Sequence, residues 1–267
     1  GYPANLESGR KKCSGDILFI MAQDDILASR AIQETYDVFD KNPKVGAVTR
    51  PYFWFYNDIN KPVRAKKPLN LKNNEIVTIF DEPQRVIRVI DTLDQFSALA
   101  YRTKFMDIGF HPDIFPCHIY PFISIFKHHP VIFLKNYNLA VRITSSQSRH
   151  VSSIYEQSPM LTWIYMINNL LGETKYKSVA KYLISDFIAI NYVGLVQLKN
   201  FAKYKYLLRE IYYLVKFRPK NLINLQFWFF SLGTMIIPAQ ILIPMVDYYK
   251  NYFNSQNLPK INFSYKL

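Results

Sequence analysis

The sequence has 267 residues, 49% of them hydrophobic, which is enough for one large domain with a buried core or for a domain with an appended region. Its formal net charge of +13 favours anionic partners: phosphorylated substrates, an acidic membrane surface or nucleic acid. The two cysteines, Cys13 and Cys117, lie far apart without metal-ligand spacing, so the pattern indicates neither a zinc site nor a disulfide framework, and a reducing compartment is expected.

A nearly continuous apolar run at residues 15–27 ends in two adjacent carboxylates, Asp24 and Asp25. Such a run is typical of a buried strand in a parallel or mixed sheet, with both faces covered. The carboxylates are then expected at the carboxyl end of the strand, where open α/β sheets bind ligands. Their oxygens suit the hard divalent cations that accompany nucleotide phosphates, so this stretch predicts a ligand site.

A helix is predicted directly after the carboxylates. Ser29 is a suitable amino-terminal cap, and Pro43 closes the element. The inner face is predicted from apolar residues at helical spacing: Ile32, Tyr36 and Phe39. The alternative for Asp24 and Asp25 is a solvated turn in which one of them caps this helix, and a cap at Ser29 weakens that alternative without removing it.

Residues 15–25, the helix and residues 42–48 resemble the central part of a family 2 glycosyltransferase with the GT-A fold. In that family this segment carries a DxD motif that binds Mg²⁺ or Mn²⁺ and the diphosphate of a sugar nucleotide. Here Ala22 occupies the first acidic position and only Asp24 matches, with Asp25 beside it. The resemblance implies that Asp24 and Asp25 bind the metal and the donor phosphates.

The same resemblance implies that residues 1–14 are the tail of a helix preceded, in the family, by three strands that this chain lacks. Arg10 would then point at the donor phosphates. The alternative is an ordinary solvated helix end, which applies to Lys11 as well.

Residues 45–49 predict a short buried strand and residues 52–56 an aromatic continuation. One face of that continuation could form the floor of a sugar site, and core packing is the alternative. A helix is predicted to begin near Pro83. Its inner stripe is expected to be Val86, Ile87, Ile90 and Leu93.

Small residues among large ones at residues 95–103 would let the backbone approach a ligand, and an arginine after a buried strand can bind phosphate. The stretch resembles the family segment between donor and acceptor, with Ala98 where glycine is common. The resemblance implies acceptor-site roles for Ser97, Ala98 and Arg102. A strand with polar ends is the alternative.

A helix is predicted to follow residues 110–118 and to run to Lys127. In the family an Asp at its start is the catalytic base of an inverting transfer, and this sequence offers His118 in that place, with Asp113 before it. Imidazole titrates near neutrality and suits a general base. The alternative for His118 is a hydrogen-bonded structural histidine.

Residues 131–134 and 139–143 predict two strands, and Arg142 could equally be a strand-end residue paired with a carboxylate. The polar loop at residues 144–150 follows. In the resembling enzymes a loop here closes over the diphosphate, which implies phosphate-binding roles for Arg149 and His150. A helix is then predicted from Ser158 and Pro159 to Leu171, ending at Gly172.

From residue 176 onward the pattern is helical, and residues 222–246 carry no charged side chain behind a basic flank. This stretch could cross a bilayer if tilted, but its polar residues and prolines favour a bent helix or one lying at an anionic membrane surface. A buried carboxyl-terminal helix is the alternative.

The fold class expected is α/β: a partial, Rossmann-like GT-A mixed sheet flanked by helices (residues 1–172), followed by an α-helical membrane-associating region (residues 173–267). The function implied is metal-assisted, inverting transfer of a sugar from a nucleotide-diphosphate donor to a hydroxyl of a lipid-linked or polysaccharide acceptor, at the cytoplasmic membrane face. No nucleic acid is expected as partner.

Two alternatives stay open. A basic, aromatic RNA-binding protein would explain the charge and the 20 Tyr and 20 Phe, although no RNP, KH, zinc-finger or helix-turn-helix signature appears. A catalytically inactive membrane scaffold with the same fold would explain Ala22.

Overall fold

The computed structural model of the chain describes residues 1–143, 152–249, 258 and 261–265. The chain forms two compact units, Gly1–Ser145 with Phe253–Leu267, and Ser146–Tyr252. This division lies near residue 145 instead of residue 172, because the helix Pro159–Leu171 packs against the helices that follow it.

Over its described residues, the first unit combines four α-helices with nine short strands. The helices are α1 (Tyr2–Lys12), α2 (Ala31–Lys41), α3 (Pro83–Ile90) and α4 (Ile119–His128). The strands are β1 (Ile17–Phe19), β2 (Ile26–Leu27), β3 (Ala47–Thr49), β4 (Tyr52–Phe55), β5 (Arg64–Lys66), β6 (Glu75–Val77), β7 (Ala100–Arg102), β8 (Val131–Phe133) and β9 (Leu139–Arg142).

Two mixed sheets organise these strands, in the orders β1-β7-β3-β8-β6 and β2-β9-β4-β5. β3 pairs parallel with β8, and β4 pairs parallel with β9. The strands predicted at residues 131–134 and 139–143 both form, but they belong to different sheets. The expectation of a mixed α/β unit flanked by helices and followed by helices is confirmed.

β1 is shorter and more exposed than the apolar run predicts. It lies at one end of the five-stranded order and pairs antiparallel with β7. Leu18 is buried, whereas Ile17 and Phe19 are half-buried. The run breaks after Ile20, because Met21 is exposed and a turn precedes β2. The expectation of a strand covered on both faces is therefore wrong, although the carboxylates do follow the strand's carboxyl end.

The inner face of α2 also differs from the prediction. Ala31, Thr35 and Phe39 are buried, whereas Ile32 and Tyr36 are 57% and 55% exposed. Ile32 and Tyr36 each come one position after a buried residue. One position turns a side chain by about 100° around the helix axis, so these two side chains lie outside the buried face. Ser29 does not cap the helix; its amide donates to Ser264 O at 2.9 Å instead.

The core of the five-stranded sheet requires a close approach between β3 and α4. A Cβ added at Gly46 would clash with Ile125 Cγ2 and would lie 2.9 Å from His129 Cβ. Behind this contact the sheet buries a cluster that joins α2 to three strands and their flanking residues: Phe39, Val45, Val48, Ala100, Ile132 and Leu134. The glycine therefore sets the distance at which helix and sheet pack.

We expect Gly46→Ala to lower the free energy of unfolding by about 1–3 kcal/mol, because the added methyl group overpacks this contact. The matched control is Gly9→Ala in α1, where a Cβ meets nothing within 4 Å. That substitution should raise stability by roughly 0.5–1 kcal/mol. Urea unfolding followed by circular dichroism measures both, and equal effects of the two substitutions would contradict the packing argument.

The second unit is helical throughout its described part. Its helices are α5 (Pro159–Leu171), α6 (Lys177–Asp186), α7 (Val193–Phe201), α8 (Tyr204–Phe217), α9 (Leu225–Ile236) and α10 (Ala239–Tyr248). Ser158 caps α5 by accepting from the amide of Leu161 at 3.1 Å, and Gly172 ends it, as predicted.

No single helix in the described ranges has the length and apolarity needed to cross a bilayer. The pair Thr174–Ile190 and Val193–Phe201, bent by 53°, reaches that length and composition only when taken together.

After the second unit the chain returns to the first. Phe263 packs edge-on against Phe53 of β4, with ring centroids 5.1 Å apart. Phe55, Ile261 and Phe263 belong to or pack against the same apolar cluster. Core packing therefore accounts for the face of β4 that Phe53 and Phe55 share.

Candidate functional site

The turn that carries Asp24 and Asp25 joins the two sheets of the first unit. It follows β1 of the five-stranded sheet and leads into β2 of the four-stranded sheet. The amide of Asp25 donates to Ala22 O at 3.4 Å, which closes the turn. Asp24 is half-buried, and Asp25 is buried.

The Asp25 carboxylate accepts hydrogen bonds from three directions. Gln95 Nε2 donates to Oδ2 at 2.9 Å, and the Arg142 amide donates to Oδ1 at 3.2 Å. Ser97 bonds the same carboxylate through its side chain, and Ser97 Oγ also accepts from the amide of Ala22 at 2.9 Å. The structure therefore brings Asp25 and Ser97 together.

Burial raises the pKa of Asp25 above its ordinary value, and the nearby Asp24 carboxylate adds to that rise. The hydrogen bonds from Ser97, Gln95 and the Arg142 amide act in the opposite direction and only partly offset the burial. Ionised Asp25 is thus incompletely compensated by its own surroundings. A cation at this carboxylate would supply the missing compensation.

Arg50 holds the turn at Ser97 and Ala98 by hydrogen bonding. The sequence did not predict this role for Arg50. Its guanidinium donates to Ala98 O at 3.1 Å, to Thr35 Oγ1 at 2.9 Å and to Asn138 Oδ1 at 3.3 Å. It is completely buried, and burial lowers its pKa to about 9. The available signal was a charged residue directly after the buried strand β3.

Ala98 contributes its backbone to this arrangement, because its carbonyl is one of the three acceptors that hold Arg50. Its side chain is fully buried.

Arg102 does not lie with Asp25. The antiparallel register pairs Arg102 with Ile17, at the amino end of β1, whereas the Asp25 turn follows the carboxyl end. The guanidinium donates to the carbonyls of Phe39, Asn42 and Val45, where α2 ends. The expected position of Arg102 beside an acceptor is corrected: in this structure it caps a helix.

His118 is buried with both ring nitrogens engaged. Nε2 lies 2.7 Å from Leu93 O, which can only accept, so Nε2 carries the proton. Nδ1 then accepts from the Tyr2 hydroxyl at 2.7 Å. Burial lowers the pKa of His118 to about 4, partly offset by the bond to Leu93. These contacts leave no lone pair on the ring to take a proton from a sugar acceptor. They match the alternative in which His118 is a hydrogen-bonded structural histidine.

Because folding holds His118 neutral, the unfolded chain binds more protons between about pH 6.5 and pH 4. The free energy of unfolding should therefore fall as the pH decreases through this window, with a contribution of up to about 3 kcal/mol from this histidine, fully present above it. Urea unfolding at several pH values should show a smaller slope in His118→Gln. The exposed His128→Gln is the control, and an unchanged slope in His118→Gln would refute the assignment.

Asp113 lies in the loop before α4 and is half-buried. Its amide donates to His111 Nδ1 at 3.2 Å, and its Oδ2 lies 3.5 Å from the same nitrogen. A ring nitrogen that accepts the amide carries no proton for the carboxylate. Asp113 also contributes to the raised pKa of Cys117, which burial brings to about 12.

The Arg10 side chain forms an ion pair with Glu7, one turn earlier in α1. Its guanidinium donates to both carboxylate oxygens of Glu7, at 2.8 and 2.6 Å, and Glu7 also accepts from the Phe110 amide at 2.9 Å. Arg10 could reach a phosphate only by releasing Glu7. Arg149 and His150 lie outside the described residues, and their expected phosphate contacts stay predictions.

An open groove of about 410 Å³ lies on another part of the first unit, between α2 and the β6–β8 edge. Its lining mixes both signs of charge with amides, as in Glu34, Asp37, Lys41 and Lys135. Neither Asp24 nor Asp25 contributes to it. The Asp25 site is therefore separate from this groove.

Comparison with solved structures identifies 32 chains with a matching backbone. One is S. aureus TarS, residues 1–349, a GT-A-like glycosyltransferase crystallised in complex with UDP-GlcNAc. The TM-score is 0.55 and the sequence identity 13%, over 94% of this chain and 68% of that chain. No family model matches this sequence, and no curated protein does. At this identity the likeness establishes the fold: the chain has a partial GT-A-like architecture.

Proposed function

We propose that this chain belongs to an enzyme that transfers a sugar from a nucleotide-diphosphate donor to a hydroxyl group of a lipid-linked or polysaccharide acceptor. The observation that carries the proposal is Asp25, a buried carboxylate at the carboxyl end of β1, held by Ser97, Gln95 and the Arg142 amide. Buried carboxylates with a raised pKa cluster at functional sites. The GT-A-like backbone supports the donor class, since TarS, which has a similar backbone, was crystallised with UDP-GlcNAc.

Asp24 and Asp25 are the proposed ligands of Mg²⁺ or Mn²⁺. Among the described residues, no group of three or more His, Cys, Asp and Glu side chains is arranged to hold a metal ion. Two carboxylates fit a cation that completes its coordination with phosphate oxygens and water, as Mg²⁺ usually does. When bound, the cation supplies positive charge against the departing diphosphate.

The transfer forms a bond between the acceptor oxygen and the anomeric carbon, breaks the bond from that carbon to the diphosphate oxygen, and releases the acceptor proton to a base. We assign the base to Asp113, because both nitrogens of His118 are occupied. Ser97 keeps the Asp25 carboxylate in place, and Arg50 fixes the Ser97 turn through Ala98 O.

We expect Asp25→Asn and Asp24→Asn each to weaken Mn²⁺-dependent binding of UDP at least tenfold, because each removes a charged ligand of the cation. Asp40→Asn on the exposed side of α2 is the matched control. Isothermal titration calorimetry of the full chain with UDP, with and without Mn²⁺, measures the effect. Binding should also weaken as the pH falls through the raised pKa of Asp25. Unchanged Mn²⁺-dependent affinity in both variants would exclude the site.

Asp113→Asn should lower kcat for transfer by about 10²–10⁴ while leaving the KM of the donor unchanged, because the residue acts on the acceptor proton. Asp107→Asn, an exposed neighbour on the same segment, is the control. Initial rates with UDP-GlcNAc and a panel of hydroxyl acceptors measure the change. A kcat equal to that of the control would remove Asp113 as the base without affecting the donor site.

A further inference from the structure

Helix α9 has its polarity reversed relative to a helix of a water-soluble protein. Its outward stripe consists of large apolar residues at helical spacing: Leu225, Phe229, Leu232 and Ile236. Leu225 is 88% exposed, and Phe229 and Ile236 are each 74% exposed. The buried face carries Ser231 and Thr234 beside Phe227. In water a helix normally buries its large apolar side chains and exposes its polar ones.

The polar residues on the buried face do not explain this reversal. Thr234 Oγ1 donates to Phe230 O at 2.7 Å within its own helix, and Ser231 Oγ is buried with no hydrogen-bond partner among the described residues. Among the described residues, neither hydroxyl therefore forms a hydrogen bond that would hold this face of α9 against another element. The outward apolar stripe is therefore exposed to the surroundings of the chain and matches an apolar environment better than water.

Helix α10 also exposes an apolar stripe. Ile241, Met245 and Tyr248 are exposed at i, i+4 and i+7, and Leu242 is its buried residue. The short turn before α9 adds Leu222 and Ile223, both exposed. Residues 222–246 contain no charged side chain, and the first acidic residue after them is Asp247. We call this surface, residues 222–248 of the turn, α9 and α10, the apolar ridge.

The flanks of the apolar ridge are basic and aromatic. The exposed lysines that precede it are Lys203, Lys205, Lys216 and Lys220. Trp228 donates its indole N–H to Leu222 O at 2.8 Å. The side chain is 38% exposed, so part of its ring faces the surroundings of the chain. Tyr248 and Tyr249 are exposed at the other end. Amphipathic aromatic side chains of this kind favour the boundary between lipid and water.

We propose that the apolar ridge docks into one leaflet of an anionic membrane, with α9 and α10 lying in the interface. An apolar helix face flanked by lysines is the pattern of an interfacial helix, in which apolar burial and attraction to anionic lipid add. A second copy of the chain carries the same net charge of +13 and so lacks the charge complementarity that acidic lipid headgroups provide. The proposal is independent of the sugar-transfer activity.

Sedimentation of the full chain with vesicles tests the proposal. Vesicles of phosphatidylcholine with 30% phosphatidylglycerol should bind the protein, and binding should weaken when the salt concentration rises. Pure phosphatidylcholine should bind it at least tenfold more weakly. Equal binding to both vesicle types would overturn the electrostatic part, and no binding to either would overturn the whole proposal.

Substitutions separate the ridge from exposed apolar residues in general. The triple variant Leu225→Ser, Phe229→Ser, Ile236→Ser should lose about a hundredfold or more in vesicle affinity. The matched control replaces comparably exposed residues of the first unit: Ile32→Ser, Leu71→Ser and Phe80→Ser. Equal losses in both triple variants would refute the assignment. Since the substituted ridge residues are exposed, circular dichroism should be unchanged.

A depth measurement distinguishes lipid from a protein partner. Vesicles containing brominated lipid should quench the fluorescence of Trp228, and Trp228→Phe should remove that quenching while vesicle binding persists. If light scattering instead shows a dimer that the ridge variant dissociates, and brominated lipid quenches nothing, the surface is an interface between copies and the membrane proposal is wrong.

Discussion

The Asp25 carboxylate is the contact on which the candidate site depends. It receives the Ser97 hydroxyl and the Gln95 amide from the segment that leads into β7 of one sheet, and the Arg142 amide from β9 of the other. A single acidic group thus holds the ends of two sheets at one point. Burial raises its pKa, so ionisation of this carboxyl group costs more than that of an exposed aspartate.

Arg50 holds the backbone beside Ser97, because its guanidinium donates to Ala98 O. Its buried guanidinium is satisfied by neutral oxygens from three segments, and Glu34 is the charge that most offsets its lowered pKa. Buried charges without a direct partner are costly, and a chain keeps them where they fix geometry. Here the geometry is that of the Ser97 turn, which binds Asp25. A change at Arg50 is therefore expected to move Ser97, and with it a hydrogen bond that lowers the pKa of Asp25.

The two units divide the chemistry differently. The first unit carries the buried carboxylate, and the second carries the apolar ridge, whose large apolar side chains are exposed. An acceptor that resides in or on a membrane would make both features useful to one protein. The basic residues that flank the ridge account for part of the net charge of +13.

Periodicity and turn chemistry in the sequence by themselves determined most elements: the helices after Pro83, His118 and Ser158, the strands at residues 45–49 and 52–56, and the carboxylates that follow β1. These features are local, because caps, prolines and apolar spacing act within a few residues. Tertiary structure alone decided which face of α2 is buried, that β1 lies at a sheet edge, that Arg102 caps a helix and that His118 is enclosed by Tyr2 and Leu93. Each depends on partners tens of residues away, and no local pattern encodes which distant carbonyl or hydroxyl satisfies a buried polar group.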